Sequence, residues 1–403
     1  MGAAALVWLA YEGWRLLAQP PPLGGMDLRH RHREVQLWFQ GEPVYRILKS
    51  AVYPPASHAL LWPFTGWLGF GGARWLWAAT TVAATGWLVR LLVKASTAPT
   101  RLLRLFVAAM VLSAYAVGAT IGNGQLALHV LPCTIAAVLI LRTTPPRWGP
   151  DLLSASLFLF ALVKPSLVAP FFWIVLFMPR RARPALLVIG GYLALTLFAA
   201  TVQSDGLVKL FSDWMRASRF ALSHGNLRYS HSSVHSWFHA LGIQTWHPVA
   251  SVLLLLACGA WIYRHRHVEP WLLLSMAALV SRFYTYHGWY DDVLLLIPAA
   301  TLFRIASDAN RADPTRYGAG SILCVLVPVT VAPGGLYLLP SPWREVFVAL
   351  QTAVWLVVLV FLARIAGRPP SARAATGPPV RRSARSPDAA VEASRERAQV
   401  SRA

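Results

Sequence analysis

The sequence predicts an all-α polytopic membrane protein, a bundle of about 12 transmembrane helices with further helices in its extracytoplasmic loops. Three observations carry this. Hydrophobic residues make up 56% of the 403 and charged residues only 13%, whereas a soluble chain of this length normally divides into domains with charged surfaces. Apolar runs, several of them near the roughly 20 residues that a crossing helix needs, follow one another from Tyr53 to Ile365. The 37 Lys and Arg, against 16 acids for a net charge of +21, gather in connectors and tail, which the positive-inside rule keeps in the cytoplasm. The division is therefore a membrane domain over residues 1–365 and a basic, disordered cytoplasmic tail over residues 366–403, in the plasma membrane. Anionic lipid headgroups, not nucleic acid, are the expected neighbours of that tail.

The segments follow in order. Residues 1–17 lack a basic start and a small-residue cleavage site, so they form a retained first span, weakened by Glu12 and Arg15. The apolar region 53–94 is twice a span long. Arg90, Lys94, Arg101 and Arg104 divide it: residues 53–68 lie half-buried on the outer face and residues 72–93 cross, which leaves the basic cluster inside. Residues 102–121 return outward, Gly122-Asn123-Gly124-Gln125 turns, and residues 126–141 run inward to Arg142 and Arg147. Residues 152–163 and 167–178 are each too short to cross. They form two broken helices meeting at Lys164-Pro165-Ser166, where non-helical backbone is tolerated only if it is packed in protein or lines a wet cavity. Residues 185–202 cross to a second polar loop, 203–248, and residues 249–263 return. Residues 270–285 lead to the cluster His287 to Asp292, and residues 293–303, 321–339 and 346–365 complete the bundle.

This parity puts five polar clusters on one face: Asp27, Tyr53-Pro54-Pro55, Gly122 to Gln125, Lys164-Pro165, and His287 to Asp292. An active site at that face follows. The stretch 26–64 is polar and basic where its surroundings are apolar, and it carries an acid directly behind the first span. A base in an enclosed site must be an acid or a histidine of raised or near-neutral pKa. Thirteen acids precede the tail, and Asp27, Glu34, Glu42, Asp291 and Asp292 are those near the expected cavity. Asp27 is the candidate base. The competing reading is that it caps the helix start at residues 28–40, where acids are favoured.

The order Asp27, then Gly41-x-Pro43-Val44-Tyr45, then Tyr53-Pro54-Pro55 with an apolar run and Pro63, then Gly124-Gln125, then Lys164-Pro165, resembles glycosyltransferase family 87. The resemblance covers roughly residues 1–300 and is carried most by the Asp to Tyr-Pro-Pro segment. It implies the GT-C fold and transfer of a hexose, mannose first among the candidates, from a polyprenyl-phosphate sugar to a hydroxyl of a glycolipid or glycan at the outer face, with inversion. Asp27 matches the family's loop-one acid. The chain departs from the family pattern at Leu28-Arg29-His30, where an aromatic usually follows the acid. Two further departures are the missing Asn after Gly124-Gln125 and Ser166 in place of a frequent Gln.

That chemistry needs a base, a cationic seat for the phosphate and a polar wall for the sugar. Asp27 supplies the first. Arg29, His30, Lys164, Arg282 and His287 are candidates for the second, and Tyr53, Gln125, Trp289, Tyr290, Asp291 and Asp292 for the sugar and acceptor. Bland alternatives stand beside these: Lys164 snorkelling to the interface, Asp291 and Asp292 opening a helix, His287 as a structural residue. Cys133, Cys258 and Cys324 show no metal or disulfide spacing, and His224, His231, His235 and His239 come without an HExxH motif, so no metal or other cofactor is expected. A transporter or lipid-linked-sugar flippase and a noncatalytic subunit of an envelope-polysaccharide complex are the rival functional classes.

Overall fold

The structure, a computed structural model, describes residues 2–48, 50–224, 233–285, 287–308, 314–331, 336–337 and 339–368, without the side chains of residues 2–4, 221–224, 239, 240 and 244. Among the described residues every regular element is helical. The expected tail lies outside them from residue 369 on; the last helix runs to Gly367.

Helix α1 (Gly2–Ala18) leads through a glycine pair into α2 (Met26–Phe39), and a short α3 (Val44–Ile47) follows. The region read as twice a span divides as expected. Helix α4 (Pro55–Thr65) opens at the rigid Pro54-Pro55 and, at 11 residues, rises only about 16 Å, whereas α5 (Phe70–Ser96) at 27 residues reaches about 40 Å. The run 102–121, expected as one span, is instead two helices, α6 (Arg101–Ser113) and α7 (Tyr115–Asn123), bent by 47° at Ala114. The bend lays α7 on α1, where Gly118 sits so close to Trp8 that a Cβ would meet the indole Nε1 at 2.0 Å.

Then come α8 (Ala127–Thr143), α9 (Trp148–Ala161), α10 (Pro165–Leu176) and α11 (Arg183–Thr201). The second polar loop holds α12 (Leu207–His224) and α13 (Val234–Ala240); α14 (His247–Arg264), α15 (Pro270–Tyr284), α16 (Leu296–Ser307), α17 (Pro314–Val331) and α18 (Trp343–Gly367) close the bundle. A 3-10 segment, Trp289–Leu295, precedes α16.

Helices α8, α15 and α16 are buried nearly all round and form the centre, as helices without a polar face must. Helices α5, α11, α14 and α18 are long and apolar enough to cross a membrane, or five spans if the bent pair α6–α7 counts as one; α8 and α10 are shorter apolar helices. The four turn large apolar side chains such as Val82, Leu193, Leu253 and Val357 outward, which suits a lipid surround. The expected dozen spans thus exceed the helices that pass on length and composition. Breaks at Ala114 and Lys164 cut apolar runs into pieces of 9 to 14 residues.

A smaller apolar cluster stands at the end of α11. Trp38, Val44, Tyr45, Ala51, Ala199, Leu210 and Ala217 join α2, α3 and α12 to it. Trp38 Nε1 donates to the Ala199 carbonyl at 3.0 Å while its ring stacks on His58 at 4.3 Å. This cluster fixes the far end of α2. The near end is fixed by Gly25, whose N–H donates to the Gly122 carbonyl at 2.8 Å, and by Gly124 (φ 70°), where a Cβ would meet Leu28 Cβ at 2.6 Å. Glycine is required there by both the left-handed backbone and the closeness of α2.

Candidate active site

Between α2 and the central helices lies a cavity of about 580 Å³. The first turns of α2 contribute Asp27, His30 and Arg31; the connector before α4 gives Tyr53 and Pro54; the turn after α7 gives Gly124 and Gln125. The break between α9 and α10 adds Lys164, Pro165 and Ser166, and the segment before α16 adds His287, Tyr290 and Asp291. All five polar clusters singled out in the sequence therefore meet at one cavity. The second polar loop supplies Trp214 and Ser218 from α12, which sequence reasoning did not assign to the site.

Asp27 does not cap α2. The N-cap is Gly25 in a left-handed conformation with no side-chain capping bond, and the Asp27 carboxylate turns to the cavity, where it pairs with the Gln125 side chain. Burial pushes its pKa up; Arg31, the Gln125 hydrogen bond, Lys164 and His30 pull against that shift without cancelling it. A carboxylate so placed is a stronger base than one in water.

The same cavity is lined by a buried charge cluster. Lys164 Nζ lies 2.5 Å from Asp291 Oδ1, and His287 Nδ1 lies 2.9 Å from Asp291 Oδ2. Lys164 is only 6% exposed, so it does not snorkel to an interface. Its placement follows from the sequence: Pro165 cannot continue α9, and the freed backbone is held by α15, where Tyr284 Oη donates to the Ser166 carbonyl at 2.6 Å and Ser281 Oγ to that of Leu167 at 2.7 Å. Burial raises the Asp291 carboxyl, but the Lys164 ammonium and the His287 hydrogen bond outweigh it and hold the group well below the usual carboxylate range. For His287 burial dominates and lowers the pKa, so the ring is neutral near pH 7; its Nε2 is buried without a hydrogen-bond partner among the described residues.

Arg31 is the cavity cation that the sequence reading missed. It lies over the Tyr53 ring at 4.2 Å and donates to Glu34 Oε2 at 2.5 Å. Asp27, Arg31 and Glu34 recur at helical spacing, which aims all three at one side of α2. Glu34 is fully buried, and burial lifts its pKa from 4.5 to about 7 against the pull of Arg31. Between those two pH values the native chain holds a proton that the unfolded chain has released, so stability falls as pH rises through the window and levels off above it. The shift corresponds to about 3 kcal/mol. Glu34→Gln is expected to remove this slope. Melting in detergent at pH 5 and pH 8 should show a smaller drop for the variant than for the natural chain, and equal drops would contradict it.

Four predicted residues stand away from the cavity wall. Arg29 is exposed and its guanidinium lies 6.0 Å from the Phe70 ring, because two residues along a helix turn a side chain about 200° from Asp27. Arg282 is fully buried behind the site, its Nε donating to Asp292 Oδ1 at 2.5 Å and its guanidinium over Trp355 at 5.0 Å. Asp292 also meets Tyr337 Oη at 3.2 Å, which in turn lies 2.9 Å from Gln351 Oε1. Trp289 packs against Tyr115 and Tyr337. In the 3-10 segment successive side chains are a third of a turn apart, so Tyr290 and Asp291 face the cavity while Trp289 and Asp292 face the bundle.

Of the loop histidines, His235 stacks on His247 at 4.5 Å and accepts or donates at Ser251 Oγ, 2.8 Å away. The side chains of His224, His231 and His239 lie outside those described. Among the described residues no three His, Cys, Asp or Glu gather as a metal-binding group.

A helical membrane bundle that gathers carboxylates and cations from five distant segments around one cavity has the architecture of an integral membrane enzyme. The chain belongs to glycosyltransferase family 87, whose family model matches residues 51–285, and is accordingly a membrane glycosyltransferase. The match is narrower than the expected 1–300. It includes Tyr53, Gln125 and Lys164, while α2 with Asp27 and the segment His287 to Asp291 flank it. No curated protein and no solved structure matches the chain.

Proposed function

We propose that this glycosyltransferase, built on the GT-C plan, moves a hexose, mannose first among the candidates, from a polyprenyl-phosphate sugar to a hydroxyl of a glycolipid or glycan acceptor, at the extracytoplasmic face of the plasma membrane. The observation that supports the reading is the gathering in one cavity of the Asp27 carboxylate with Lys164 and His287, Lys164 being near enough to act on the Asp27 charge. In the reaction the acceptor oxygen bonds to the anomeric carbon from the side away from the phosphate, the bond from that carbon to the phosphate oxygen breaks, and configuration inverts. Asp27 takes the acceptor's proton; the phosphate leaves with the electron pair.

Arg31 and Lys164 are the fixed charges suited to that growing negative charge, while neutral His287, whose Nδ1–H is given to the Asp291 carboxylate, leaves Nε2 as a hydrogen-bond acceptor for a hydroxyl. Because the acid behind Arg31 titrates near neutrality, Glu34 offsets only part of the Arg31 charge at pH 7. Tyr53, Gln125 and Tyr290 offer an aromatic wall and hydrogen bonds for the sugar. The reading uses no metal or other cofactor. Incubation of the purified protein with a panel of polyprenyl-phosphate sugars and a hydroxyl acceptor, followed by mass spectrometry, tests it. One lipid-linked donor should be consumed with release of polyprenyl phosphate; consumption of nucleotide sugars alone, or of no donor, would overturn it.

A further inference from the structure

Among the described residues, helix α12 buries one of its three edges against protein and leaves the other two exposed. At 3.6 residues per turn, Leu210, Asp213, Trp214 and Ala217 fall along one edge, and these are the residues buried or half-buried against α3 and the end of α2. Trp214 Nε1 donates to the Val52 carbonyl at 2.9 Å, and Trp214 and Ser218 reach the cavity. A second edge carries Leu207, Val208, Phe211 and Met215, all exposed, Val208 to 87%. The third carries Lys209, Ser212, Arg216 and Arg219, also exposed. A soluble surface helix would not leave a continuous apolar edge open to water beside a basic one.

The position of α12 supplies the rest. It starts only five residues after α11, one of the helices able to cross a membrane, and the connector is held down by Gln203, whose amide donates to the Trp38 carbonyl at 2.8 Å. Arg46 of α3 pairs with Asp205 and, at 3.3 Å, with Asp213, tying the start of α12 to the same platform. Five residues reach at most about 18 Å, so the helix begins close to where the span leaves the bilayer.

We propose that α12 is an in-plane membrane helix: its Leu207–Val208–Phe211–Met215 edge lies among acyl chains just beneath the headgroups, its Lys209–Arg216–Arg219 edge meets anionic headgroups, and its protein-facing edge carries Trp214 and Ser218 into the cavity. The partner of this surface is lipid. The membrane surface thereby braces one wall of the site, and the seating of α12 in the headgroup layer sets where Trp214 stands.

Single cysteines at Val208, Met215 and Ser212, in a Cys324→Ser background and labelled with bimane, test this in vesicles of phosphatidylcholine and phosphatidylglycerol. The chain without an added cysteine gives the background from Cys133 and Cys258. All three positions are exposed, so the labels leave the packing intact. Acyl-chain nitroxide lipids should quench Val208→Cys and Met215→Cys at least twofold more than Ser212→Cys, and aqueous iodide should show the reverse order. Equal iodide quenching at Val208 and Ser212 would overturn the proposal, as would shielding of Val208 from both quenchers, which would mean that protein covers that edge. The readout involves no sugar transfer, so its outcome is independent of the reaction assigned above.

Discussion

Asp27→Asn is expected to lower sugar transfer by roughly 10² to 10⁴-fold, the contribution of a positioned general base, while donor binding persists. The fold should survive because Asp27 caps nothing: α2 starts on Gly25, and asparagine can still pair with Gln125. Binding of a lipid-linked donor measured beside turnover separates the two effects. A variant that transfers at the natural rate would remove Asp27 from the role of base, and one that neither binds nor melts cooperatively would make the residue structural. The same geometry sets a pH dependence. Since the base acts only when ionised and burial raises its pKa, kcat/KM should fall on the acid side at a pH above the ordinary carboxylate range; Arg31→Gln, by removing the largest opposing charge, should move that limb higher still.

Asp291→Asn should cost roughly 3 to 5 kcal/mol of stability, because it leaves Lys164 buried without its counter-charge and takes the anionic acceptor from His287. Lys164→Met combined with Asp291→Asn should regain most of that loss, since an apolar replacement of a buried ion pair is often neutral. Activity should not return with it. On the proposed mechanism the double variant folds and lacks the cation that receives the phosphate, so stability and turnover part company. If the double variant were as unstable as Asp291→Asn alone, the strong coupling inferred from the 2.5 Å contact would be wrong.

How far the sequence alone could reach is clearest at particular residues. The break at Lys164-Pro165 was legible because proline forbids continuation of α9 and two short apolar runs flank it. The turn Gly122 to Gln125 was legible for a similar reason: glycine marks the left-handed position that ends α7. Arg31 is missed because a helix start at residue 28 leaves Asp27 outside the helix as its cap; only with Asp27 inside α2 does the four-residue spacing set Arg31, and not Arg29, on its side. Asp291 and Asp292 look equivalent in the sequence. What distinguishes them is which cation each meets, Lys164, 127 residues before Asp291, or Arg282, only ten before Asp292, and no local pattern encodes the first of these pairings. The bend at Ala114 carries no proline or glycine at the break itself, and the contact that accompanies it, Gly118 against Trp8, belongs to tertiary packing.

The fastening of α2 at Gly25 and Gly124 has a kinetic corollary. A helix tied main chain to main chain at its N-cap, and wedged where not even a methyl group would fit, is poorly placed to carry its acid toward a target. On the proposed mechanism the acceptor oxygen must come to the carboxylate instead. Discrimination among alcohols would then be exercised by the room left between a stationary anvil and the rest of the cavity wall, and a sugar presenting its hydroxyl an ångström short would be turned away by distance alone.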